Sequence, residues 1–249
     1  MSKNVIIIGG TKGIGLETAR LFLDLGKTVH IIARSTTDKS TSNLVQEWKK
    51  KLFVYSCDAS KNSDLLEART EIIKNSKNQV DVLICCAGNG NGSSSAFQSS
   101  EEWDMSWKTN FETAQNSTST FFKDLIKTKG NIIYISSIAG LENIGAPVSY
   151  SVAKSALVSY AKMLSSKLAQ EIRVNVVAPG NIFSPGGTWD LKLKKNPIEV
   201  NKMLEQKVPL KRMGKPEEVA ELIVFLSSKK ASFITGSCFV IDGGQTINF

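Results

Sequence analysis

The chain has 249 residues, 41% of them hydrophobic, with 18 glycines and 6 prolines. That is enough for one sizeable core, and the composition is not that of a disordered or low-complexity chain. No run of about 18 apolar residues occurs, which excludes a membrane-spanning helix. The formal charge is +8, with lysines clustered at 49–51, 192–195, 202–215 and 229–230. Without an arginine-rich helix, a zinc pattern or aromatic residues interleaved with basic ones, nucleic acid is not expected as the main partner. Steering of an anionic small molecule or an acidic protein fits the excess better.

In chain order, NVIIIG at 4–9 reads as a buried strand, followed by glycines and an apolar-periodic helix that Gly26 ends. The opening segment lacks the basic flank, long apolar stretch and small-residue cleavage site of a secretory signal, so a cytoplasmic location is expected. TVHIIA at 28–33 and LFVYSC at 52–57 read as the second and third strands, with a charged helix near 62–76. VDVLICCAG at 80–88 is the fourth strand and its exit. The polar stretch 89–100 that follows reads as a loop at the edge of a site. Trp103, Trp107 and Phe111 recur at four-residue spacing, and Phe122 and Ile126 continue the helix. A stripe packed on the sheet or on another subunit is expected there rather than an aromatic ligand box. GNIIYISS at 130–137, IRVNVVAPG at 172–180 and SCFVIDGG at 237–244 complete the strands. Short strands with consecutive Val and Ile, separated by helices, predict one α/β domain over 1–249, a doubly wound parallel sheet covered by helices on both faces.

Cysteines stand at 57, 85, 86 and 238, in neither a zinc nor a redox spacing, and read as buried thiols of a reducing compartment. The single histidine, His30, lies in a strand. Histidine-based metal or triad chemistry is therefore not expected, and no metal site is predicted.

GGTKGIG at 9–15 joins the first strand to the first helix. Gly9 can end the strand in a tight turn, Gly13 lets a pyrophosphate approach the backbone, and Gly15 allows close helix-to-strand packing. The helix start behind them offers unpaired N–H groups and a positive end. No G-K-[ST] closes the segment, so it is not a nucleotide-triphosphate loop. After the second strand a carboxylate would favour a free ribose 2′-hydroxyl. The chain has Arg34 and Ser35 there instead, and Arg34 with Lys12 suits a 2′-phosphate, hence NADP(H). Asp58, after the third strand, is placed either to accept from the adenine amino group or to cap the next helix.

Tyr150 and Lys154, four residues apart on a helix, share one face. A phenol titrates near 10, too high for proton exchange at neutral pH, and a nearby ammonium is expected to lower it. Ser136 and Ser137 stand at the C-terminal exit of the fifth strand, where open α/β sheets bind ligands. A serine hydroxyl there can polarise a carbonyl. Asn110, mid-helix, can hold a water in a proton path.

Together these motifs resemble the short-chain dehydrogenase/reductase superfamily, of the short single-domain type, over essentially the whole chain. Its glycine turn, TGxxxGxG, reads IGGTKGIG at 8–15, with Ile8 for threonine, and its NNAG motif reads CCAG at 85–88, with Cys85 and Cys86 for the asparagines. The resemblance implies a Rossmann fold. It makes Asn110, Ser137, Tyr150 and Lys154 the catalytic set. It assigns NADP(H) contacts to Gly9, Thr11, Lys12, Gly13, Ile14, Gly15, Arg34, Ser35, Asp58, Ala59, Ala87, Gly88, Tyr150, Lys154, Pro179, Gly180, Ile182 and Ser184. Ile182 is the residue whose backbone meets the carboxamide, and Ser184 stands where threonine is usual. The segment 185–212 would cover the substrate, with Trp189 as a pocket wall or a pin for the lid, and lysines that face an anionic substrate or only solvent. A homotetramer or homodimer is implied. The nearest likeness is to bacterial 3-oxoacyl-(acyl-carrier-protein) reductases, acting on a carbonyl that is either a small molecule or bound to a carrier protein. A reductase of a sugar, sugar nucleotide or other small alcohol is the rival, and a non-enzymatic dinucleotide-binding regulator a distant third.

Overall fold

The computed structural model describes residues 4–35, 39–93 and 95–247; residue 94, inside the predicted loop 89–100, lies outside them. Among the described residues the strands are β1 (Asn4–Ile8), β2 (Thr28–Ala33), β3 (Leu52–Ser56), β4 (Val82–Cys85), β5 (Asn131–Ile135), β6 (Arg173–Pro179) and β7 (Cys238–Ile241). They form one sheet in the order β3-β2-β1-β4-β5-β6-β7, with every pairing parallel. The chain first builds outward from β1 to β3, then returns to start β4 on the other side of β1. Crossovers on either side of that reversal diverge and leave a crevice above the C-terminal ends of β1 and β4.

β1, β4 and β5 are buried at every position, so each strand supplies side chains to two cores. Ile6, Ile8, Leu83 and Tyr134 point to a core shared with α3 (Asn62–Asn75), α5 (Thr113–Thr128) and α6 (Val148–Lys167). Val5, Ile7, Ile84 and Ile133 point to the other, shared with α1 (Gly13–Asp24), α2 (Lys39–Glu47) and α9 (Pro216–Ser227). This is the single-domain Rossmann arrangement, with helices on both faces. Across the first core, buried Asp124 accepts two bonds from Arg69, at 2.8 and 3.0 Å, tying α5 to α3.

Between α3 and α5 comes α4 (Ser100–Trp107), started by a reciprocal Ser99–Glu102 capping box. The segment 185–212 is not irregular: it folds as α7 (Thr188–Lys195) and α8 (Pro197–Lys207), joined by Asn196, whose side chain accepts from the Glu199 N–H. No helix of the described residues is long and apolar enough to cross a membrane.

His30 is fully buried on β2, stacked on Phe53 at 5.1 Å, with Nδ1 3.1 Å from the Tyr55 hydroxyl. Burial pushes its titration down from the ordinary 6.5 to about 4. The unfolded chain therefore takes up this proton first as pH falls. The stability held by neutral His30 is complete above about 6.5 and is lost as pH drops toward 4, by at most about 3 kcal/mol. Urea unfolding at pH 7 and pH 4.5 should show this loss in the wild-type protein, and His30→Phe should remove that part of the difference.

Candidate functional site

The predicted site residues converge on the crevice at the β1/β4 reversal. Gly9 leaves β1 with φ +83°, and a Cβ on it would lie 2.8 Å from the Ala87 backbone. A Cβ on Gly15 would run into the Gly9 carbonyl oxygen. Gly13 opens α1 with φ +52°, and the Ser184 hydroxyl stands 3.3 Å from where its Cβ would be. The first turn of α1 carries no acidic residue, and Lys12 at its N-cap makes no side-chain cap, so the helix start keeps the positive end that an anion favours. Thr11 is tied down from outside, its carbonyl accepting from Thr41 Oγ1 at 3.1 Å. Side chains at Gly9 and Gly15 would collide with neighbouring backbone, so only glycines let the turn fold this tightly and present bare peptide N–H groups, as a pyrophosphate requires. The residues present therefore fit a dinucleotide.

At the adenosine end, Arg34 and Ser35 are exposed beyond β2, and Ala59 is buried. Asp58 does not cap α3, whose N-cap is Lys61. Its Oδ1 instead accepts from Ser60 N–H at 3.1 Å and Ser60 Oγ at 2.8 Å. Burial raises the Asp58 carboxyl, but the Ser60 bonds and the nearby Arg34 outweigh it and hold the group below its usual range.

The other end is built around Lys154. Its amine is buried and donates to the Ile135 carbonyl at 2.9 Å, under the end of β5. Ser136 Oγ donates to the Lys154 carbonyl at 2.8 Å, locking α6 to the strand exit. The Ser137 hydroxyl accepts from the Ala139 N–H at 3.1 Å and bonds to the Tyr150 phenol. The Lys154 amine lies 5.9 Å from the Tyr150 ring centre. Asn110 sits in a π-helical turn, Lys108–Glu112, between α4 and α5. Its amide donates to the Ser106 carbonyl at 3.0 Å, and its Oδ1 accepts from the Asn89 N–H at 3.0 Å. Gly88 is where these parts touch: a Cβ there would lie 2.7 Å from Asn110 Oδ1 and 2.8 Å from the Lys154 amine.

One electrostatic expectation is corrected. Burial raises the Tyr150 phenol above 10, against the lowering effect of the Ser137 bond, and the Lys154 ammonium does not reverse it. The reason is the same dehydration acting on Lys154, which is pushed down to about 8 and holds its own charge weakly. The phenol is thereby held in its neutral form, while the amine keeps its charge at neutral pH less firmly than an exposed lysine does.

Around the exit of β6, the Gly180 N–H donates to the Ile241 carbonyl at 3.0 Å, continuing the pairing of Pro179 with Ile241. A Cβ on Gly180 would strike Asp242 at 2.7 Å. Ile182 forms an isolated parallel bridge with Gly214. Beyond it, Trp189 joins Val200, Leu204 and Val208 in a small separate core, with the Lys192 amine 4.6 Å over its ring. Trp189 thus pins α7 to α8. Asp190, buried, accepts from the Gly186 N–H and the Lys194 amine, both at 2.8 Å. The sequence reading missed two anchors. The Asn89 peptide is one. Glu142, which accepts from the Ile247 N–H at 2.9 Å and ties the C-terminal tail to the loop after Ser137, is the other. No motif marks either, because one acts through its backbone and the other spans 105 positions.

A parallel sheet with a phosphate-sized glycine turn on one side of its crevice and a Ser–Tyr–Lys group on the other defines a nicotinamide-dependent oxidoreductase. Residues 9–246 match the family model described as enoyl-(acyl carrier protein) reductase. The chain belongs to that family, within the short-chain dehydrogenase/reductase superfamily. It is 33% identical over 249 residues to the 3-oxoacyl-(acyl-carrier-protein) reductase FabG of Chlamydia trachomatis, covering 98% of each chain. Among solved structures it is similar to ElxO with NADP bound, at 28% identity and TM-score 0.89, covering 98% of this chain and 99% of that one. It is also similar to L-sorbose reductase from Gluconobacter frateurii in complex with NADPH and L-sorbose, at 25% identity and TM-score 0.90, covering 100% and 98%.

Gly88→Ala is expected to displace Asn110 and the Lys154 amine and to lower turnover at least about tenfold, since small misplacements of reacting groups are costly. Steady-state cofactor oxidation, with circular dichroism to confirm folding, checks it.

Proposed function

We propose that the protein reduces 3-oxoacyl thioesters with NADPH, as an NADP(H)-dependent oxidoreductase interconverting a carbonyl and a secondary alcohol. The observation carrying the reading is the site itself. Arg34 and Ser35 follow β2, neither of them a carboxylate, the glycine turn bares its backbone from Gly9 to Gly15 beside Ala87 and Ser184, and Tyr150, Ser137 and Lys154 stand at the far end. Bound there, the cofactor supplies a hydride. The chain's residues do the rest. Ser137 orients the substrate carbonyl and the Tyr150 hydroxyl, and Tyr150 gives its proton to the developing alkoxide. Lys154 steadies the resulting phenolate and holds the nicotinamide ribose. Asn110 keeps a water in line with Lys154 for the proton's return. Gly9, Gly13 and Ile14 cradle the pyrophosphate, Asp58 keeps its second oxygen for the adenine, and the Ile182 peptide meets the carboxamide.

The thioester class is supported by the FabG relative and by the net charge of +8, which would steer an acidic carrier protein toward the site. The segment 185–212 would cover that substrate. A second reading, a sugar or other small hydroxy-ketone as substrate, is favoured by the likeness to L-sorbose reductase. Four free thiols suit a reducing cytoplasm. Apolar Val148, Val152 and Met163 exposed along α6 suit a helix-paired homodimer or homotetramer.

The substrate test is NADPH oxidation with acetoacetyl-carrier protein beside L-sorbose and simple ketones. Turnover of the thioester well above the rest is expected, and brisk activity on a sugar with none on the thioester removes the assignment. Tyr150→Phe should abolish turnover, by about 100-fold or more, while leaving NADPH binding intact. Arg34→Glu should reverse the preference from NADPH to NADH, read as the ratio of kcat/KM values.

A further inference from the structure

We infer that Glu218, which touches neither cofactor nor substrate in the reading above, is a positioning residue for the nicotinamide end of the cofactor, acting through Gly214 on the Ile182 peptide. The inference rests on the NADP(H) reading of the crevice.

The chain of contacts begins at Ile182. The Phe183 N–H donates to the Gly214 carbonyl at 2.9 Å, and the Gly214 N–H donates to the Asn181 carbonyl at 2.9 Å. In a parallel pairing of this kind the bonds come from the peptides flanking the central residue. The N–H and C=O of Ile182 itself are therefore directed away from Gly214, available to a carboxamide. Their position depends on where Gly214 stands, and the approach is close: a Cβ on Gly214 would lie 2.6 Å from Ile182 Cδ1.

Gly214 is in turn held on both sides by one carboxylate. On one side Arg212 gives Glu218 two bonds, Nη1 to Oε2 at 2.9 Å and Nη2 to Oε1 at 2.6 Å, while Nη1 also bonds the Met213 carbonyl at 3.0 Å. On the other side the Lys215 N–H donates to Glu218 Oε2 at 2.7 Å. A single side chain thus clasps residues 212 and 215 and fixes the two residues between them. Glu218 can serve as the fixed end because it stands in the first turn of α9, whose Val219, Ala220 and Ile223 are fully buried against the sheet.

Packing shares in holding the bridge, since Ile182 lies against the core of α1 and α9 and Met213 against the small core of α7 and α8, but a cavity of about 80 Å³ among Ile182, Gly214, Arg212, Glu218 and Asp242 leaves the Gly214 side to the clasp. The clasp is also not a device for stability: the side chains are 49% and 40% exposed, and pairs of that kind contribute little to folding. Its geometry, two parallel bonds from a planar guanidinium, fixes direction more than it adds energy.

The test separates the two ends of the cofactor. Dissociation constants are measured by fluorescence for NADPH and for 2′,5′-ADP, which keeps the adenosine phosphates and lacks the nicotinamide, on the wild-type protein and Glu218→Gln. NADPH binding should weaken about tenfold and kcat should fall, with 2′,5′-ADP binding within about twofold of wild type. Glu218→Asp should recover part of the loss. Gly214→Ala, which disturbs the same bridge from its other side, should give the same split between the two ligands. Unchanged NADPH binding and kcat in Glu218→Gln, or an equal loss for both ligands, would overturn the inference. A wild-type preference for NADH would count against the cofactor reading alone; the same contrast, run with NADH and 5′-ADP, would still decide the role of Glu218.

Discussion

The site depends on keeping a lysine amine out of water. Lys154 has one strong acceptor, the Ile135 carbonyl, and the charged-capable neighbours that act on it are the thiols of Cys86 and Cys85. Such a group is costly to bury and becomes easy to deprotonate. The surrounding structure is arranged to hold it anyway. Ser136 fastens its backbone, Gly88 removes the side chain that would displace it, and Asn110 closes the same space from the π turn before α5. The result is a phenol held neutral beside an amine whose charge is less firmly held than that of an exposed lysine.

The cofactor cleft is defined by four chain segments that meet at glycines. The glycine turn meets the β4 exit where Gly9 touches Ala87, it meets the β6 exit where Gly13 faces Ser184, and the β4 exit meets α6 at Gly88. Because contact runs through main chain and glycine, side-chain identity nearby is loosely constrained. This accounts for Cys85 and Cys86. Cys85 keeps its place in the ladder beside Ile8 and Tyr134, and the Cys86 N–H still donates to the Ile8 carbonyl at 2.9 Å. Dehydration pushes the Cys86 thiol up to about 11 and the Cys85 thiol higher, so these sulfurs act as packing atoms and not as nucleophiles.

Much of this was legible in the residues. The strands could be read because each is a mostly apolar run bounded by polar or glycine residues, although several ends fell one to three positions inside the predicted ones, as at Val82–Cys85 within 80–88. The Gly, Tyr and Lys positions could be read because their spacing matches a surface period. The helices of 185–212 and α9 were not drawn out, though Pro197 and Pro216 at their first turns are start signals. Helix α2, with exposed polar residues along most of its length, offers too weak an apolar stripe to be noticed. The direction of the Tyr150 shift was misjudged because spacing reports which groups are neighbours and not how much water surrounds them. The π turn at Asn110 rests on a contact with Asn89, which no local pattern encodes, whereas the Glu218 clasp is local, its bonds spanning three and six positions, and went unread.

The π turn at 108–112 has a consequence for how this helix could vary over evolutionary time. Such a turn holds one residue more than an α turn, and it leaves the α segments before and after it facing the neighbours they would otherwise have. A chain that lost one residue there could rewind into unbroken α-helix, with Phe121 and Leu125 still directed at the sheet. What would vanish is the seat of Asn110 and its grip on the Asn89 peptide. Length variation at this point therefore divides foldable descendants into those that retain the chemistry and those that keep only the scaffold.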